Sequence, residues 1–202
     1  MKTPKVSIAI PYHDTPNTAG YLTRLLASIH DQTFRDFEIV LTKEGPFARN
    51  HNAAIQKSRG KIIKLMQLDD YFSYADSLEK IVTAFEEGEA DWQITACLHN
   101  INGQVGAPHI PYWTPDIFTG NNRLGSVSTL AMRRESARLF EEPLTWLVDC
   151  DLYYRLFLEF GPPQILKSEN VVIDTRTDRL TSTLSEELKA KEVEYLKRKY
   201  GK

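Results

Sequence analysis

The chain has 202 residues, 42% of them hydrophobic and 26% charged, with a formal net charge of −2. That is the balance of a globular domain able to bury its own core, and it argues against broad neutralisation of a phosphate backbone as the main binding mode. Cys97 and Cys150 lack the short spacing of a zinc site, and no apolar run reaches the length of a membrane span. A protein of the reducing cytoplasm is expected.

In chain order, Val6-Ser7-Ile8-Ala9-Ile10 reads as a short apolar strand, stopped by Pro11 and the turn-forming residues 13–17. It is too short for a signal-peptide core. Leu22, Leu25, Leu26 and Ile29 then mark one face of a helix by their i, i+3, i+4, i+7 spacing. Residues 37–41 form a second strand. A second helix starts near Pro46 and ends at Gly60, with Lys57 and Arg59 in its last turn, where cations suit the helix dipole. Residues 61–66 are a third strand, and Leu78, Ile81, Val82 and Phe85 mark a third helix that stops at Gly88. Residues 92–98 are a fourth strand. Strands alternating with helices of this size indicate parallel β-α-β units, whose ligands bind beyond the carboxyl ends of the strands. That rule places Tyr12 to Asp14, Thr42 to Gly45, and Asp69-Asp70 on one rim.

Beyond the fourth strand the pattern loosens. Residues 99–125, rich in Gly and Pro, read as a loop, and a loop this long is expected to act as a mobile cover. Residues 127–132 read as a strand, 133–140 as a short helix, and 149–160 as a helix with Leu152, Leu156 and Phe160 on its buried face. Thr183-x-x-Glu186 has the form of a capping box opening a last helix. The expected division is one domain, with residues 1–98 binding nucleotide and residues 99–202 binding acceptor.

The adjacent carboxylates Asp69-Asp70 stand at the end of an apolar strand, where they repel each other unless a cation or hydrogen bonds compensate. A divalent ion on a nucleotide diphosphate would do so, because hard oxygen ligands suit magnesium and manganese. The alternative is a plain turn that caps the next helix. His13, His30, His51, His99 and His109 have no metal-ligand spacing, and surface or hydrogen-bonded roles are expected for each. Trp146, like Tyr112-Trp113, is a candidate to stack on a sugar ring or to fill the core. The cations of residues 189–202 are expected to form a solvated helix face.

These segments, in this order, resemble the family-2 inverting glycosyltransferases. The likeness rests on Val6-Ser7-Ile8-Ala9-Ile10-Pro11-Tyr12, Gln32-Thr33-Phe34, Ala48-Arg49-Asn50, Asp69-Asp70, Gly125-Ser126, and Val148-Asp149-Cys150-Asp151-Leu152. It implies a GT-A, Rossmann-like α/β fold: a mixed, mainly parallel sheet flanked by helices. It implies transfer from a nucleoside diphosphate sugar to a saccharide, lipid-linked or other hydroxyl acceptor, with Mn2+ or Mg2+ as cofactor. Asp70 is then the metal ligand, and Asp69 contacts metal or ribose. Pro11, Tyr12, Asp14, Glu44 and Arg49 fall on the donor side, while Gly125, Ser126, Trp146 and Asp151 fall on the acceptor side. Asp149 matches the general base.

The chain also departs from that family. Thr42-Lys43-Glu44-Gly45 stands where an acidic pair reads the nucleobase, Gln67 where an Asp often precedes the acidic pair, and Val148 where the family has Glu. This leaves Asp149 or Asp151 as base, and helix geometry favours Asp149. A late His of the family's metal shell is replaced near Arg176. Asp174 or Asp178 can substitute for it, or Arg176 can neutralise the diphosphate directly. The alternative functions are the same chemistry on modified DNA and a non-catalytic nucleotide-sugar binder.

Overall fold

The computed structural model describes residues 2–175 and 184–201. Among the described residues, five α-helices surround one mixed sheet. The strands are β1 (Val6–Pro11), β2 (Phe37–Thr42), β3 (Ile62–Leu65), β4 (Tyr71–Phe72), β5 (Trp92–Ile101), β6 (Gln104–His109), β7 (Leu130–Arg133) and β8 (Gln164–Asp174). The helices are α1 (Thr18–His30), α2 (Phe47–Lys57), α3 (Ser77–Glu87), α4 (Val148–Phe160) and α5 (Glu186–Tyr200). The sheet order is β2-β1-β3-β7-β5-β8-β4, with β6 added to β5. β1 runs parallel to β2 and β3, and β5 parallel to β8, while β7 lies antiparallel between β3 and β5. The five parallel strands therefore deliver their carboxyl ends to a single rim, at Pro11, Thr42, Leu65, Ile101 and Asp174.

The sheet is covered on both faces, so β1 is buried along its whole length and reads as a continuous apolar run. Val6, Ile8 and Ile10 pack beneath Leu25 and Ile29 of α1 and Leu78, Ile81, Val82 and Phe85 of α3. On the other face Ala9, Ile63, Leu65, Trp92 and Ile94 pack with α2, with Leu152 and Leu156 of α4, and with Leu196 of α5. The α3 spacing read from the sequence meets this core in full, and the α1 spacing meets it through Leu25, Leu26 and Ile29 but not Leu22. The turn from α2 into β3 passes so close to β1 that a Cβ on Gly60 would lie 2.4 Å from the Ser7 nitrogen. The Gly60 N–H donates to Ser7 Oγ at 2.7 Å in the same place. Gly60→Ala is expected to lower stability by about 2–3 kcal/mol, roughly 5–10 °C in Tm. A calorimetric scan showing wild-type melting would contradict this packing.

Three boundaries differ from the sequence reading. Residues 99–125 are not one loop: β5 continues to Ile101 and turns into β6 through Asn102 and Gly103, whose φ values are 52° and 86°. Asn-Gly is a strong hairpin signal because both turn positions need positive φ. Residues 133–140 hold a single 3-10 turn at Arg134–Ser136 and no longer helix. At α5 it is Ser185 that caps, its Oγ accepting the Leu188 N–H at 3.2 Å, whereas Thr183 lies outside the described residues.

Candidate active site

One part of the rim is built by β1, β2 and the first turn of α2. Asn50, fully buried, fastens all three: its amide nitrogen donates to the Tyr12 carbonyl at 2.9 Å and its side-chain oxygen accepts the Glu44 N–H at 2.9 Å. Thr42 Oγ1 donates to the Asn50 carbonyl at 3.0 Å. Outside this knot, Lys43 pairs with Asp14 at 2.5 Å and Glu44 pairs with Lys57. Arg49 lies along Gly45 on the exposed side of α2. Between the β1 end and α2 opens a pocket of about 150 Å³ lined by Pro11, Tyr12, His13, Tyr21, Phe47, His51, Gln67 and Asp69, among others.

The acidic turn follows β3. Asp69 is half-buried and lines the pocket, whereas Asp70 is 1% exposed, with Oδ1 accepting the Asp174 N–H at 2.9 Å. Arg24 of α1, which no sequence pattern singles out, clamps this turn. Its guanidinium donates to the Asp69 carbonyl, pairs with the Asp174 carboxylate at 2.7 Å, and lies 4.6 Å from the centre of the Tyr71 ring. Behind the turn Lys64 is wholly buried in β3, its ammonium donating to the carbonyls of Leu65, Ser128 and Leu130. Burial pushes that ammonium down to about 7.

Hydrogen bonds join the segment after β6 to Gln67, just before the acidic turn. Ser126 Oγ donates to Gln67 Oε1 at 3.1 Å, and the Gln67 N–H donates to Ser128 Oγ at 2.8 Å. Asn122 donates to both the Gly125 carbonyl and Asp149 Oδ2, each at 3.1 Å. Asp149 sits in the first turn of α4, where Oδ1 accepts the Cys150 N–H at 2.8 Å. Burial raises its pKa above the ordinary aspartate value, against the opposing pull of the Cys150 and Asn122 hydrogen bonds.

Against that geometry, no protein-family model matches the chain and no curated protein matches it in sequence. Solved structures match it in fold. The chain superimposes on the crystal structure of S. aureus TarS 1-349 in complex with UDP-GlcNAc with a TM-score of 0.70 and 18% identity, over 98% of this chain and 73% of that one. It spans 43% of a longer TarS structure. It also superimposes on the mannosyltransferase PcManGT from Pyrobaculum calidifontis in complex with GDP-Man and Mn2+, with a TM-score of 0.60 and 13% identity, over 89% of this chain and 59% of that one.

The fold is GT-A.

In this GT-A domain Gln67 and Asp69 line the pocket with Pro11 and Tyr12, and Gln67 is linked to Asp149 through Ser126, the adjoining Gly125 and Asn122. Asp14, Glu44 and Arg49 lie outside the pocket lining. Trp146 packs against Gly120, where a Cβ would come within 2.7 Å of the indole, and its ring lies under Lys189. Trp113 stacks on Phe157 at 4.1 Å between ring centres. Asp151 faces away from the cluster. Its fully buried carboxylate is held by Arg155 at 2.7 Å, Lys199 at 2.6 Å and Tyr200 at 2.5 Å. Lys199 thus also joins α4 to α5, while Lys191, Lys197 and Arg198 stand exposed on the helix face. Arg176 and Asp178 lie outside the described residues.

Glu192 of α5 is a second residue that the sequence does not reveal. Buried, it accepts the backbone N–H groups of Thr145, Trp146 and Leu147 at 2.8–2.9 Å. Those three groups end the loop that leads into Asp149, and a carboxylate at a helix N-terminus satisfies orphan donors there. The candidate base is therefore held by α5 as well as by its own helix.

Among the described residues, no group of three His, Cys, Asp or Glu is arranged to hold a metal ion. A magnesium-type ion needs less, since it is commonly held by one or two carboxylates together with substrate phosphates and waters. Asp69 at the pocket wall supplies one such hard oxygen donor. Asp70 Oδ1 is engaged by the Asp174 N–H, which suits Asp70 to orienting the turn. The donor set fits an ion that arrives with a diphosphate.

Proposed function

We propose that the chain is an inverting glycosyltransferase that moves a sugar from a nucleoside diphosphate sugar to an acceptor hydroxyl. One observation carries this reading: the hydrogen-bond chain from Asp149 through Asn122, Gly125, Ser126 and Gln67 to the acidic turn. It links Asp149, the proposed base, to the residues beside the turn that we propose binds the diphosphate. The fold shared with structures that hold UDP-GlcNAc and GDP-Man supports the donor class.

In the proposed reaction Asp149 accepts the proton of the acceptor hydroxyl. The hydroxyl oxygen forms its bond to the anomeric carbon as the bond from that carbon to the diphosphate breaks. A single displacement of this kind inverts the anomeric configuration. General-base assistance of this type contributes about 10²–10⁴-fold. Bound Mn2+ or Mg2+ would supply positive charge to the departing diphosphate, with Asp69 as its protein ligand and Asp70 orienting the turn. Asn122 and the Cys150 N–H hold the Asp149 carboxylate, and Arg24 holds the acidic turn.

The test is nucleoside diphosphate release from a panel of nucleotide sugars, measured with and without manganese. Release from at least one donor is expected, with stimulation by metal that Asp69→Ala removes. A metal effect unchanged in Asp69→Ala would exclude Asp69 as ligand, and no release from any donor would leave the chain a binder rather than an enzyme.

A further inference from the structure

The loop after β2 commits its side chains elsewhere: Thr42 to the Asn50 carbonyl, Lys43 to Asp14, and Glu44 to Lys57. None of the three lines the pocket. Among the residues that do line it, His51 offers an acceptor suited to a nucleobase. It lines the pocket, is 3% exposed, and stacks on Phe47 with ring centres 3.9 Å apart. Its Nδ1 lies 2.8 Å from the Phe47 carbonyl, which can only accept, so the ring proton sits on Nδ1. Nε2 then carries a lone pair, and it is buried without a hydrogen-bond partner. Burial pushes the imidazole down to about 4, so the ring stays neutral and Nε2 remains an acceptor at physiological pH.

We infer that His51 reads the nucleobase of the donor: entry of the base shifts the pocket wall enough to uncover Nε2, which then accepts the ring N–H of uracil. This rests on the nucleotide-sugar reading above and names the base within it. A single acceptor matches the single ring donor of uracil. Cytosine would turn its own N3 lone pair toward Nε2, two acceptors facing each other. Guanine would bring two adjacent donors to one acceptor and leave its amino group unpaired, a loss that buried polar groups do not tolerate cheaply. A buried acceptor with no partner is itself unfavourable, and uracil binding would relieve it.

Calorimetric titration of the wild-type protein with UDP, CDP, GDP and N3-methyl-UDP, with manganese present, tests the assignment. UDP is expected to bind about tenfold or more tighter than the other three. His51→Phe, which keeps the ring and removes the acceptor, should bring UDP and CDP to within about twofold of each other. The ¹⁵N resonance of His51 Nε2 should also shift on adding UDP and not CDP, a readout that needs no variant. Equal affinity of the wild type for UDP and CDP would overturn the inference while leaving a nucleotide site intact, as would an undiminished UDP preference in His51→Phe. Failure of every nucleotide to bind would overturn the nucleotide-sugar reading together with it.

Discussion

Asp149→Asn is expected to bind nucleotide with near wild-type affinity and to lose sugar transfer by about 100-fold or more. Asparagine keeps the shape of the side chain and can still meet the Cys150 N–H through its oxygen. It cannot take the proton of an attacking hydroxyl. The defect therefore belongs in turnover rather than in donor affinity. Steady-state kinetics at saturating donor and acceptor, with nucleotide titration alongside, make the comparison. The pH profile adds a second check. A base works only when deprotonated, and burial places the Asp149 carboxyl above the ordinary aspartate value. Activity should therefore fall with acidification at a pH higher than an exposed aspartate would give. Residual transfer in Asp149→Asn should lack that limb. A variant that turns over normally would place the base elsewhere.

Asp151→Asn should show the reverse pattern, folding less stably while the surviving folded fraction still transfers sugar. The Asp151 carboxylate has no exposed surface and meets Arg155, Lys199 and Tyr200 together. Neutralising it removes the buried counter-charge of Arg155 and leaves Lys199 with Glu141 alone, the kind of change that costs about 3–5 kcal/mol. In a chain of this size that is roughly 6–20 °C in Tm. The group is wholly buried, so solvent screening does not reduce the effect as it would at the surface. Differential scanning calorimetry of the two asparagine variants side by side separates the roles. Should Asp151→Asn melt like the wild type and fail to turn over, the two aspartates would have to exchange assignments.

The pair illustrates how far local pattern reaches. Helix spacing alone sets Asp149 and Asp151 on different faces of α4, so the sequence already marks them as residues with different surroundings. It does not say that Tyr200 and Lys199, almost fifty positions later, close over Asp151. Likewise β1, β2, β3 and the buried faces of α1 and α3 follow from the periods of their apolar residues, and Asp69-Asp70 falls on the ligand rim because it follows a parallel strand. The β5–β6 hairpin was also readable, since Asn102-Gly103 carries the turn signal, but the Gly and Pro around it made the stretch look irregular.

What the sequence by itself determined is the set of elements whose cause is local: the period of the apolar residues and the strand ends that define the rim. Only the tertiary structure decided which polar groups face one another across that rim. Arg24 becomes the clamp of the acidic turn because α1 crosses it. Glu192 becomes the cap of the Asp149 loop because α5 docks there, and His51 keeps an open acceptor because its other nitrogen is engaged by Phe47. Each of these roles depends on a partner's position in space, and a hydrogen bond between distant segments leaves no periodic trace in either one. Burial then sets the chemistry, because the same carboxylate or imidazole titrates differently once water is removed from around it.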